Sequence, residues 1–105
     1  GNVPNNGLVS NLPKSTIVEV PCLVDRNGVQ PCAMGAIPPQ LAAAMTPHVF
    51  LNEMAVDAVL SKDKVLLRQA LQADPLTSAI LTLPKIERML DELLKANKSY
   101  LKGWD

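Results

Sequence analysis

The sequence has no excess of either charge sign. Ten Lys and Arg balance ten Asp and Glu, so there is no electrostatic footprint for nucleic acid or for an anionic membrane. Long apolar runs are lacking too, and none approaches the ~20 residues a helix needs to cross a bilayer. No basic stretch followed by an apolar one opens the chain, so no export signal is read. Two cysteines are too few for a disulfide framework, and neither sits in a CxxC. They are expected to be free thiols in a reduced, cytoplasmic setting. The lone His48 builds no metal site with either Cys by spacing. The five glycines, Gly1, Gly7, Gly28, Gly35 and Gly103, are dispersed, which excludes a phosphate-cradling loop.

What is present is a core. Apolar residues make up 48% of the 105, enough for one modest domain and too many for a disordered tail. Residues 1–35 and 36–105 differ in kind. The first part is rich in Val, Pro, Gly and Asn, with turn signals "NNG" at Asn5 to Gly7 and "RNG" at Arg26 to Gly28. Short strands are expected at Asn2-Val3, Leu8 to Ser10, Thr16 to Leu23 and Val29 to Met34, with Pro13, Pro21 and Pro31 at edges or strand ends. Along Thr16 to Val24 both alternating faces are mostly apolar, the pattern of a strand covered on both sides.

Residues 36–105 read as three to four helices. Pro38-Pro39 suits a first turn, and Thr46-Pro47 is expected to kink or break the helix it starts. "HVFLNEMAVDAVL" resumes the pattern to Leu60. Ser61 is the expected N-cap of the next helix, with Asp63 in its first turn, and Asp74-Pro75 closes it. A last helix starts at Thr82 and carries Ile86, Met89, Leu90, Leu93, Leu94, Asn97, Tyr100 and Leu101 on one stripe. Arg88–Glu92 and Asp91–Lys95 are i,i+4 pairs, and Gly103 is the expected C′ glycine.

No complete active site emerges. A type I turn with Gly28 left-handed would pair Asp25 with Val29 and set Cys22 opposite Cys32. Two facing thiols could act as a redox pair, but two small apolar fillers are the simpler reading. Asp25-Arg26 lacks the second acid or base that catalysis needs, and an Asp opening a turn is explained by its bonds to backbone N–H groups. His48 lacks a nucleophile and an orienting carboxylate. Glu53 and Asp57 at i,i+4 read as an acidic stripe, and Met45, Met54 and Met89 as core filler.

The longer stretches carry a resemblance. "GNVPNNGLVSNLPKSTIVEVPCLVDRNGVQP", "GAIPPQLAA", "ADPLTSAIL" and "DELLKANKSYLKGW" follow one another in order. Together they resemble the C-terminal quarter of glycoside hydrolase family 4, most closely its α-galactosidase (melibiase) branch, from Gly1 to Trp104. The hairpin is similar, more weakly, to the C-terminal strands of lactate and malate dehydrogenases. The resemblance implies an incomplete part of the C-terminal α/β domain of a Rossmann-containing enzyme, with the Rossmann domain absent from residues 1–105. It implies a parent glycosidase dependent on NAD and a divalent metal, typically manganese. That parent would hydrolyse O-glycosidic bonds by oxidation and elimination, on an α-galactoside or on an α-glucoside, 6-phospho-glycoside or α-galacturonide.

The family's dinucleotide glycines, metal ligands and catalytic acid and base lie upstream of the matched stretch. No catalytic, cofactor or metal residue is therefore carried onto this chain, Cys22 and His48 included. Where melibiase-like sequences tend to read "LAALMxTNINV", this one reads "LAAAMTPHVFL". The expected partner is the upstream Rossmann and catalytic half, which would cover the second face of the hairpin. A homo-oligomer is expected as well, and neither nucleic acid nor membrane. The alternative from another class is a free-standing, non-enzymatic interaction or dimerisation module.

Overall fold

The structure is a computed structural model that describes residues 1–104. Its elements are β1 (Asn2–Pro4), β2 (Ile17–Glu19), β3 (Cys22–Asp25), β4 (Gly28–Pro31), α1 (Pro39–Ser61), α2 (Lys64–Ala73), α3 (Pro75–Ile80) and α4 (Leu83–Ala96). This is an α+β arrangement, two small antiparallel sheets followed by four helices. The chain divides into two compact units, Gly1–Val49 and the residues from Phe50 onward. Helix α1 begins in the first and ends in the second.

In the first unit β1 pairs with β2, Val3 opposite Val18, and the long connection between them is held by one side chain. Asn5 is fully buried. Its Nδ2 donates to the carbonyls of Val9, Leu12 and Pro13 at 3.0, 3.1 and 2.9 Å, and its Oδ1 accepts from Val9 N–H at 2.7 Å. Its own N–H donates to the Thr16 carbonyl, and its carbonyl accepts from Leu8 N–H at 2.7 Å. That last bond closes the "NNG" turn, where Asn6 and Gly7 both have positive φ, the pairing that Asn-Gly favours. Asn11 works in the same manner at the surface. Its amide exchanges two bonds with the backbone of Ile37, at 2.8 and 3.0 Å. With the loop pinned, Val9, Leu12, Val18, Val20 and Ala42 form a buried cluster, packed by Val3, Leu8, Cys22 and Ile37.

Several expectations are corrected here. Thr16 to Leu23 is not one strand. It divides at Val20-Pro21 into β2, which pairs with β1, and β3, which pairs with β4. Pro21 has no N–H to donate, and its carbonyl accepts instead from Cys32 N–H at 2.9 Å. Leu8 to Ser10 makes only an isolated parallel bridge, Val9 with Gly35. In the hairpin Asp25 pairs with Gly28 rather than Val29, and Cys22 with Pro31 rather than Cys32. Gly28 does have positive φ, but it takes a ladder position, leaving Arg26-Asn27 as the loop. One residue of register reverses faces, so Cys22 and Cys32 lie on opposite sides of the ribbon, both as free thiols.

Helix α1 runs through Pro47 without a break. The proline withholds one donor, and next to it Thr46 Oγ1 donates to the Ala42 carbonyl at 2.6 Å. The helix ends in a Schellman pattern: Asp63 N–H bonds the Ala58 carbonyl and Lys62 N–H that of Val59, with Lys62 at φ 57. That ending decides the next cap. Ser61 is still inside α1, its Oγ donating back to the Asp57 carbonyl, so Asp63 caps α2 by accepting from Val65 and Leu66 N–H. Asp74 closes α2 and also caps an extra short helix, α3, through Leu76 and Thr77 N–H.

Thr82 is the N-cap residue of α4, without a side-chain cap bond. The helix stops at Ala96 instead of reaching Leu101. There Asn97 Nδ2 competes for the Leu93 carbonyl at 2.8 Å, so Gly103 is not its C′ residue. In the second unit Ala58, Ala70, Ile86 and Leu90 are the buried apolar residues. Arg68 Nε lies 2.7 Å from Glu87 and its guanidinium 3.7 Å from Asp91, joining α2 to α4. The Nε contact lacks hydrogen-bond alignment and is an ion pair only. Arg88–Glu92 pairs as expected at 3.4 Å, whereas Asp91 reaches Arg68.

Two predictions follow from this geometry. Asn5→Ala should destabilise the chain by roughly 2–4 kcal/mol, because buried backbone groups lose their partners. Asn11→Ala, at the surface, should cost less than about 1 kcal/mol. Urea unfolding of the two variants checks the order, and equal costs would contradict it. Thiol titration of the denatured chain without reductant should find both cysteines reactive, whereas a loss of both would mean a disulfide that the register opposes.

Candidate functional site

Each residue singled out for chemistry has a local structural role or stands apart. Asp25 Oδ1 accepts from Asn27 N–H at 2.7 Å and from Gln30 Nε2 at 3.4 Å. It is the carboxylate that closes the hairpin, as the turn reading expects. Arg26 is exposed beside it. Cys22 is half-buried, its Sγ 3.4 Å from the Val20 carbonyl, and Cys32 is exposed. His48 is exposed on α1. Glu53 and Asp57 lie further along the same helix, in the second unit. Among the described residues no three His, Cys, Asp or Glu side chains gather as a metal site. No helix among them is long and apolar enough to cross a membrane.

The concave feature of the first unit is apolar instead. A groove of about 300 Å³ opens on it. Buried Val9 and Leu12 lie at its base, held there by the Asn5 bonds to Val9 and Leu12. One side is the stretch Ile17 to Val20. The other is α1, where Leu41, Met45 and Val49 recur every four residues and share a face. Glu19 is the charged residue among those lining it. Ile17 is 61% exposed, Leu41 52% and Met45 46%. Apart from Glu19 its lining offers apolar contact rather than acid–base or nucleophilic groups.

The hairpin beside the groove is equally uncovered. Leu23, Val24 and Val29 are each more than half exposed, on a two-stranded ribbon that is marginal by itself in water. Reading the sequence for chemistry passes over Asn5 and Asn11. The available signal was their placement within an Asn- and Pro-rich connection between strands.

Comparison with known proteins gives these features a context. The model of the family 4 glycosyl hydrolase C-terminal domain matches residues 1–77. An alpha-galactosidase of Bacillus subtilis (strain 168) is 40% identical over 96% of this chain and 23% of its own length. An alpha-galacturonidase of Lachnoclostridium phytofermentans is 33% identical over 99% of this chain and 23% of its own. A crystal structure of a 6-phospho-alpha-glucosidase from gut microorganisms, in complex with NAD and Mn2+, superposes with a TM-score of 0.83. It is 25% identical over 92% of this chain and 22% of that one. The chain thus spans less than a quarter of the length of these relatives. The chain belongs to glycosyl hydrolase family 4, its residues 1–77 matching the C-terminal domain of that family.

Proposed function

We propose that this chain is the structural C-terminal portion of an NAD- and divalent-metal-dependent glycosidase of the α-galactosidase type. The observation that carries the reading is the 40% identity to the Bacillus subtilis alpha-galactosidase across nearly the whole chain. The NAD and Mn2+ held by the 6-phospho-alpha-glucosidase structure suggest the cofactors of the complete enzyme. The residues of this chain do not fit those groups by themselves. Its thiols and histidine sit on separate elements, and its glycines are spread from Gly1 to Gly103. No chemical step is therefore assigned to it.

Its contribution is to buttress. Paired strands and an apolar groove hold the remainder of the enzyme, whose own groups bind the sugar and react with it. A reduced, cytoplasmic setting suits its two free thiols.

The test is a chimera in which this chain replaces the matching C-terminal segment of the Bacillus subtilis alpha-galactosidase. Supplied with NAD and Mn2+, the chimera should release p-nitrophenol from its aryl α-galactoside, and the 105-residue chain alone should release none. A folded chimera without activity would contradict the α-galactosidase reading. Metal-dependent release by the chain alone would contradict its structural role.

A further inference from the structure

We propose that the groove between β2 and the Leu41–Met45–Val49 face of α1 is the seat of an apolar segment from the catalytic portion of the same enzyme. This inference rests on the structural reading given above and deepens it by naming the contact. Three observations carry it. The first is where the charge lies. Of the ten basic and ten acidic residues only Lys14, Glu19, Asp25 and Arg26 precede Phe50. A free-standing unit needs roughly a quarter to a third of its surface charged, whereas the centre of an interface is depleted of charge.

The second observation is the shape and exposure of the groove. Its base is buried and its sides, at Ile17, Leu41 and Met45, stand about half open to water. Helix α1 adds to this, since Glu53 and Asp57 are its only acidic side chains and it has no Lys or Arg. An uncharged apolar face such as Leu41–Met45–Val49 is ordinarily packed against another element.

The third observation selects the occupant. This chain covers 20–24% of the relatives and solved structures it matches, so about three-quarters of such a protein lies outside it. A segment of the same polypeptide meets the groove at an effective concentration of about millimolar. A second copy has to find it at the concentration of the protein. The occupant is therefore the catalytic portion, and a homodimer through this face is the competing outcome.

The native methionines provide the readout. Met45 is 46% exposed and Met34, also lining the groove, 51%, so peroxide should oxidise both in the isolated chain. In the chimera described above they should be protected by roughly tenfold or more, since sulfoxide formation follows exposure. Tandem mass spectrometry of the tryptic peptide 27–62, which also holds Met54, assigns the rate at each methionine, and Met89 of α4 provides an internal reference.

An active chimera whose Met34 and Met45 oxidise as fast as in the free chain would overturn the groove assignment and leave the functional reading intact. Protection in a folded but inactive chimera would support the groove assignment while removing the α-galactosidase reading. Protection that appears in the isolated chain as its concentration rises, with no further gain in the chimera, would assign the groove to a second copy and overturn the proposal. A chimera that fails to fold would count against it as well, because a seated segment should complete the host. Leu41→Asp within the chimera gives a second arm: loss of Met45 protection and of solubility is expected, and an unaffected variant would overturn the proposal.

Discussion

The carboxamide of Asn5 does the work that a strand or helix would otherwise do for the connection between β1 and β2. Four hydrogen bonds from one fully buried side chain reach Val9, Leu12 and Pro13. A buried backbone group without a partner costs about 1–3 kcal/mol, and this connection has no ladder of its own to supply partners. Only with those groups satisfied can Val9 and Leu12 turn inward and meet Val18, Val20 and Ala42. The base of the groove is built from the same two residues. One amide thus links the local turn chemistry of "NNG" to the shape of the apolar groove.

The rest of the first unit is consistent with a part meant to be enclosed. A hairpin with Leu23, Val24 and Val29 in water, and a helix with Leu41 and Met45 half exposed, leave apolar area uncovered. Burying one such side chain is worth roughly 1.5–3 kcal/mol, so several of them form a strong drive toward a partner. The second unit differs in its balance. It carries most of the charge, and α2 and α4 are joined by Arg68 with Glu87 and Asp91 and by Gln72 with Glu87. The proposed seat for the catalytic portion would give this asymmetry a physical reading, with the first unit as the contact surface.

Much of this fold was legible because it depends on local chemistry. "NNG" and "RNG" mark turns, Asp25 caps one of them, Asp74-Pro75 ends α2, and Ile86 and Leu90 are buried as the stripe on α4 requires. What escaped depends on distant partners. The division at Pro21 follows from two strands finding different neighbours. The hairpin register turns on whether Gly28 sits in the loop or in the ladder. Pro47 stays inside α1 because one missing donor is cheaper than abandoning the helix on both sides of it. Asn5 looked like a turn residue because its acceptors are scattered over the following loop. The groove could not be read from spacing, since its sides come from β2 and α1.

The central claim is that the first unit is a surface completed by the remainder of a family 4 enzyme. Amide hydrogen exchange tests it most directly, comparing the isolated chain with the same chain in place of the matching segment of the Bacillus subtilis alpha-galactosidase. Slower exchange in the chimera should be concentrated at β2, at the hairpin strands β3 and β4, and at Leu41 to Val49 of α1, with the amides of α4 nearly unchanged. Equal exchange across Gly1–Val49 in both settings would contradict the claim, because it would mean that this unit already closes its own core.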